Sequence, residues 1–226
     1  MCGRFVQLPP QSSERLPWPS LVPVLSDLTA RYNLAPTQRA AVVLDDDGAM
    51  DVRKLRWGLL PHWMKDPKQS YATINARIET VDTKPAYRSA WKHRRCLIPM
   101  RGYYEWQATP TGKQPYYVAL RDGGDLYAAS LWEHRHALQL ADELGSCTVI
   151  TTNAEDEAGK VHDRMPVFIP AELVETYLHG TPVEAMTLLL SLPTPDLTTC
   201  PVSRRVNAPK DDDPDLLTAI PLEPKE

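Results

Sequence analysis

The sequence predicts a single α+β domain built on a strongly bent, barrel-like antiparallel sheet with peripheral helices, and three observations point there. Short β-rich runs lie on either side of acidic, glycine-containing turns, at Asp46-Asp47-Gly48 and again at Asp122-Gly123-Gly124. The 22 prolines are about twice the usual frequency and favour long ordered loops over long regular elements. At 226 residues the chain is long enough to bury one sizeable core. The domain is expected over residues 1–220, with 221–226 as a tail.

Taken in order, the Pro-rich stretch 8–23 reads as an irregular lead-in and 24–32 as a short helix. Residues 41–44 and 52–57 read as strands of a hairpin. The same pattern recurs at 116–121 and 126–131, and 147–152 is a further β-branched run. Helices are expected over 85–93, 171–178 and 182–192, each opening near Pro or a polar residue. There is no internal repeat.

Composition narrows the function classes. Apolar and charged fractions of 42% and 24% are those of a soluble globular protein, and no apolar run approaches the roughly 20 residues that span a bilayer. With no secretory signal at the start, a cytoplasmic location and reduced thiols are expected. Cys2, Cys96, Cys147 and Cys200 form no C-x-x-C pair, so the spacing indicates neither a zinc site nor a disulfide framework, and no cofactor is called for. A net charge of −4 argues against bulk electrostatic coating of nucleic acid but leaves room for a local cationic face.

The most reactive feature is Cys2. Loss of Met1 would leave a thiol and a free α-amine on adjacent carbons, and that pair traps aldehydes: the amine forms a Schiff base, the sulfur adds to the imine carbon, and a thiazolidine closes. Ordinary pKa values of about 8 for the amine and about 8.5 for the thiol leave both nucleophiles partly available at neutral pH. Position alone also fits an unremarkable second residue at a frayed terminus.

Further along, polar, aromatic and glycine residues crowd together. Leu55-Arg56-Trp57-Gly58-Leu59-Leu60-Pro61-His62-Trp63 pairs a strand end with two tryptophans. An extended Asn75-Ala76-Arg77-Ile78-Glu79-Thr80 puts Asn75, Arg77 and Glu79 on one side. In Gly102-Tyr103-Tyr104-Glu105-Trp106, rings bracket a carboxyl and raise its pKa toward the range useful for proton transfer. His162-Asp163-Arg164-Met165-Pro166 places an imidazole beside a cation, and Val202-Ser203-Arg204-Arg205-Val206-Asn207 adds more cations. Each has a plainer explanation: core tryptophans, an Arg77–Glu79 surface bridge, or a Glu105 satisfied by a buried arginine.

In combination these blocks, with Arg31-Tyr32-Asn33-Leu34-Ala35-Pro36-Thr37, run in order through nearly the whole chain. The chain resembles the SOS response-associated peptidase family, whose SRAP domain processes abasic sites in DNA. The resemblance implies a single α+β domain whose N-terminal cysteine is joined covalently to the open-chain aldehyde of an abasic deoxyribose in single-stranded DNA. It implies Cys2 as nucleophile, Asn75 as the group that orients it, and Glu105 and His162 as proton carriers. DNA would be met by Arg4, Asn33, Trp63, Arg77, Trp106, Thr151 and Arg164, in a protein able to act as a monomer, without a metal or membrane. Two rivals share parts of this pattern: an N-terminal-cysteine amidohydrolase or thiol peptidase, and a noncovalent single-stranded DNA module in which Cys2 is structural.

Overall fold

The computed structural model describes residues 2–12, 16–64, 72–110, 112–134 and 145–222. Twelve strands are present in these residues: β1 (Arg4–Gln7), β2 (Arg31–Leu34), β3 (Arg39–Asp46), β4 (Ala49–Trp57), β5 (Asn75–Arg77), β6 (Arg95–Met100), β7 (Gly102–Thr109), β8 (Gly112–Leu120), β9 (Leu126–His134), β10 (Gly145–Asn153), β11 (Arg164–Pro166) and β12 (Leu197–Pro201). The helices are short: α1 (Val22–Ser26), α2 (Arg88–His93), α3 (Asp156–Gly159), α4 (Val174–His179) and α5 (Pro182–Ser191). None is long and apolar enough to cross a membrane.

The α+β expectation holds, with the strands divided between two sheets. One has the order β12-β8-β7-β1-β2. The other runs β11-β10-β4-β3-β6-β9 and closes on itself through an added β9–β10 pairing, which makes it ring-like. It is not wholly antiparallel, because β4 and β5 both pair with β10 in parallel.

The first hairpin forms where expected, with Asp46 opposite Ala49. Its two loop residues, Asp47 and Gly48, have φ of 56° and 85°, the left-handed pair that lets a two-residue turn match the strand twist. The second pattern behaves differently. Strands β8 and β9 flank Asp122-Gly123-Gly124 but lie in separate sheets, so this turn is a crossing between layers and not a hairpin. Turn chemistry specifies a reversal, whereas pairing depends on which face each strand buries. Helix expectations hold for α2, α4 and α5, and the helix sought over 24–32 ends earlier, at Ser26, with β2 beginning at Arg31.

Strand β3 shows why both faces of the ring are apolar. Val42 and Leu44 point into a core shared with Phe5, Leu34, Tyr103 and Val118 of the first sheet. Val43 points the other way, among Trp91 of α2, Tyr177 and Leu178 of α4, and Leu189 of α5. Gln7 bolts β1 to the ring: its Nε2 donates to Ala41 O and Pro99 O at 2.9 and 2.8 Å, and its Oε1 accepts from Ala41 N at 2.7 Å. A buried side chain satisfied this way holds β1 in register with the ring.

Candidate functional site around Cys2

The N-terminal strand lies inside a sheet, which is why Cys2 is held in place. Strand β1 pairs antiparallel with β7 through Arg4–Tyr104, Phe5–Tyr103 and Val6–Gly102, and on its other side Phe5 faces Leu34 of β2. Phe5 meets Trp57 edge-on, with centroids 4.9 Å apart. Cys2 is fully buried at the head of this strand.

Asn75 reaches the same place from the other sheet. One edge of β10 is used first by β4, at Cys147–Trp57, and then by β5, at Val149–Asn75. Asn75 is buried, and its Nδ2 donates to Cys2 O at 2.7 Å. Its own backbone carbonyl accepts from Tyr87 Oη at 3.1 Å. The extended stretch is shorter than expected, since Ile78–Thr80 turns into a 3-10 helix. Asn75 is buried while Arg77 and Glu79 are exposed, so the three do not share one environment.

Glu105, two residues beyond Tyr103 on β7, is buried, and burial raises its carboxyl above the ordinary range. A cleft of about 400 Å³ opens here, lined by Glu105, Trp106, Lys113, His162 and Asn207. The Cys2 thiol is pushed up by burial first and by the Glu105 charge second. It is held protonated at neutral pH, which corrects the expectation of a partly ionised thiol.

Backbone geometry sets the tautomer of His162. Arg164 N donates to its Nδ1 at 3.0 Å, which requires a lone pair there and leaves the proton on Nε2. Asp163 Oδ1 lies 2.7 Å from the same nitrogen and would want a proton on it. The Asp163 side chain is 84% exposed and free to turn to water, so the fixed backbone donor decides the neutral form.

The DNA-facing residues divide into two groups. Trp106 is half-buried at the cleft, where its Nε1 donates to Asn207 Oδ1 at 2.7 Å. Arg77 is exposed, and Arg4 is half-buried beside Cys2 with Nη1 donating to Gly3 O at 2.7 Å. Trp63 is 50% exposed but lines a separate depression with His62, Arg88 and Glu133.

Other residues expected at the DNA are committed internally. Asn33 is fully buried, and its Nδ2 serves the carbonyls of Val206, Ala208 and Asp211 at 3.1, 3.1 and 2.9 Å. Thr151 is fully buried beneath Arg164. Arg164 grips Glu79 with two bonds of 2.6 and 3.0 Å and also donates to Asn153 Oδ1 and Thr151 O, both at 2.7 Å. A guanidinium spent on four acceptors positions strands and has little left for a phosphate.

Lys113 and Asn207 of the cleft escaped the sequence reading as site residues. Asn207 closes the 202–207 cationic segment, which marked it only as a neighbour of Arg204 and Arg205. Lys113 carries no local signal, because only the β7–β8 register, Ala108 opposite Lys113, brings it here.

Comparison with known proteins shows the family. The chain is 35% identical over 190 residues to the abasic site processing protein YoqW of Bacillus subtilis (strain 168), across 82% of this chain and 84% of that protein. It is 31% identical over 225 residues to the abasic site processing protein HMCES of Xenopus tropicalis, across 86% of this chain and 67% of that one. A crystal structure of a protein from Bacteroides thetaiotaomicron shares the fold, with a TM-score of 0.74 at 23% identity over 87% of this chain and 88% of that one. A phage-related protein from Bordetella bronchiseptica matches with a TM-score of 0.70 at 29% identity, over 90% and 95%. A family model described as SOS response associated peptidase (SRAP) matches residues 1–209, and the chain belongs to that family.

Proposed function

We propose that this chain processes abasic sites in single-stranded DNA by forming a thiazolidine between Cys2, freed by removal of Met1, and the aldehyde of the ring-opened sugar. The observation that carries the reading is the 2.7 Å bond from Asn75 to Cys2 O, which holds the N-terminal cysteine near a carboxyl whose pKa is raised by burial. The names of its relatives YoqW and HMCES support the substrate class.

The order of steps follows from the pKa directions. A thiol held protonated is a poor first nucleophile, so the α-amine attacks the aldehyde carbon first. Two N–H protons leave with the carbonyl oxygen as water, giving the imine. Sulfur then bonds to that carbon while its proton passes to the imine nitrogen, and the ring closes with no cofactor. Glu105, whose charge reaches Cys2, serves as the acid and base. His162, with its proton on Nε2 at the cleft, assists the opening of the closed sugar, which needs a proton at the ring oxygen and a base at the anomeric hydroxyl.

Binding rests on Arg77, Arg4 and Lys113 for phosphates and on Trp106 for stacking on a base beside the lesion. Stacking of this kind contributes about 1 to 3 kcal/mol per base and tolerates any sequence, as lesion capture requires. Asn33, Thr151 and Arg164 support these elements from behind. One site per chain suffices for a monomer acting in the cytoplasm.

The test is intact mass before and after mixing with an abasic oligonucleotide. The expected product lacks Met1 and weighs the sum of protein and DNA less one water. Cys2→Ala should retain DNA affinity and lose the adduct; noncovalent binding should weaken with salt while the adduct persists. Linkage by a chain that still carries Met1, or by Cys2→Ala, would overturn the reading.

A further inference from the structure

The Tyr103 hydroxyl is buried and has no hydrogen-bond partner among the described residues. An unsatisfied buried hydroxyl is destabilising, so a position that needed only the ring would be better filled by phenylalanine. The ring packs in the core that contains Cys2 and lies against Phe168, with centroids 6.0 Å apart. Tyr103 stands two residues before Glu105 on β7, so both side chains leave the same face of the strand. Its partner across β1 is Phe5, three residues from Cys2.

A second unsatisfied atom belongs to Asn75, which is bonded to Cys2. Asn75 spends its Nδ2 on Cys2 O, and its Oδ1 has no partner among the described residues. One idle donor and one idle acceptor flank the residue at which the aldehyde is attacked. The tetrahedral product of amine attack carries a hydroxyl, which can accept, and an N–H, which can donate, so it complements both idle groups.

We propose that the Tyr103 hydroxyl is a further catalytic group that donates a hydrogen bond to the aldehyde oxygen as the Cys2 amine attacks. The proposal rests on the abasic-site reading above and names the donor for its developing negative charge. Tyr103 keeps its proton throughout, and the oxygen leaves as water with the two protons of the amine. Burial pushes the phenol well above its ordinary range, so it stays a donor at any working pH.

Tyr103→Phe preserves the ring and removes only the hydroxyl. With an abasic oligonucleotide in single-turnover conditions, adduct formation should slow about 100- to 1,000-fold, the order seen on removing a donor of this kind. The affinity for an intact oligonucleotide should be unchanged, and the thermal midpoint should be equal or higher, since an unsatisfied buried hydroxyl is removed. The shape of the rate against pH should also persist, because no titrating group is lost. Equal adduct rates in the two proteins, or a lowered midpoint in the variant, would overturn the role of Tyr103 alone. Absence of any adduct from the wild type would overturn the abasic-site reading and this inference with it.

Discussion

Asn75 and Cys2 lie 73 residues apart and are joined by a 2.7 Å hydrogen bond from the side-chain Nδ2 of one to the backbone carbonyl of the other. This bond crosses between the sheets, from β5 beside the ring to the head of β1, and so makes the position of the N-terminus depend on the ring.

Replacing Asn75 by alanine should therefore cost about 1 to 3 kcal/mol of stability, the range for leaving a buried carbonyl without its donor. Adduct formation should fall more than DNA affinity, since the loss is one of aim and not of charge. Denaturant melts and single-turnover rates check this, and an unchanged rate would remove Asn75 from the mechanism.

Glu105→Gln should separate catalysis from stability through pH. Burial raises the Glu105 carboxyl above 4.5, so the folded state binds its proton more tightly than the unfolded state does. That contribution is present below about pH 4.5 and is lost as pH rises through the folded pKa. The glutamine variant should match the wild type in acid, melt higher at neutral pH, and form adduct more slowly. Melting curves between pH 4 and 8, about the working range of such a scan, give the result, and a lower neutral midpoint would contradict it.

Glu79 titrates with the opposite sign. Hydrogen bonds from Arg164 hold its carboxyl below 4.5, so its stabilisation is present above that value and fades as pH falls through the folded pKa. Because Glu79 is 47% exposed, Glu79→Gln should cost only about 1 kcal/mol at neutral pH. The loss should vanish in acid, and DNA affinity should change little, since Arg164 serves the fold. A salt-dependent fall in affinity on replacing Arg164 by methionine, without a fall in stability, would place Arg164 at a phosphate instead.

Trp106 and Asn207 should act as a pair. Trp106→Ala should weaken single-stranded DNA binding by about 1 to 3 kcal/mol. Asn207→Ala, which removes the 2.7 Å acceptor of the indole N–H, should produce a smaller loss in the same direction. The double variant should be little worse than Trp106→Ala alone, because the asparagine acts through the tryptophan. Titrations by fluorescence anisotropy measure all three.

Local chemistry was legible in the chain. The Asp47-Gly48 hairpin, the helices α2, α4 and α5, and the blocks around Cys2, Asn75, Glu105 and His162 each depend on neighbours a few residues away. The carboxyl bracketed by rings was legible for the same reason, and its upward shift follows from burial. The second hairpin was not, because Asp122-Gly123-Gly124 specifies a reversal without saying which sheet receives β9.

The sequence by itself determined which reactive groups this protein has: an aminothiol in waiting at Cys2, a carboxyl, an imidazole and a set of cations. Only the tertiary structure decided which of them are available. It buried the Cys2 thiol until it holds its proton, committed Arg164 and Asn33 to internal acceptors, left Arg77 facing solvent, and added Lys113 and Asn207 to the cleft. The physical reason is that residue type and spacing act locally, whereas desolvation and hydrogen-bond commitment depend on what distant strands bring alongside.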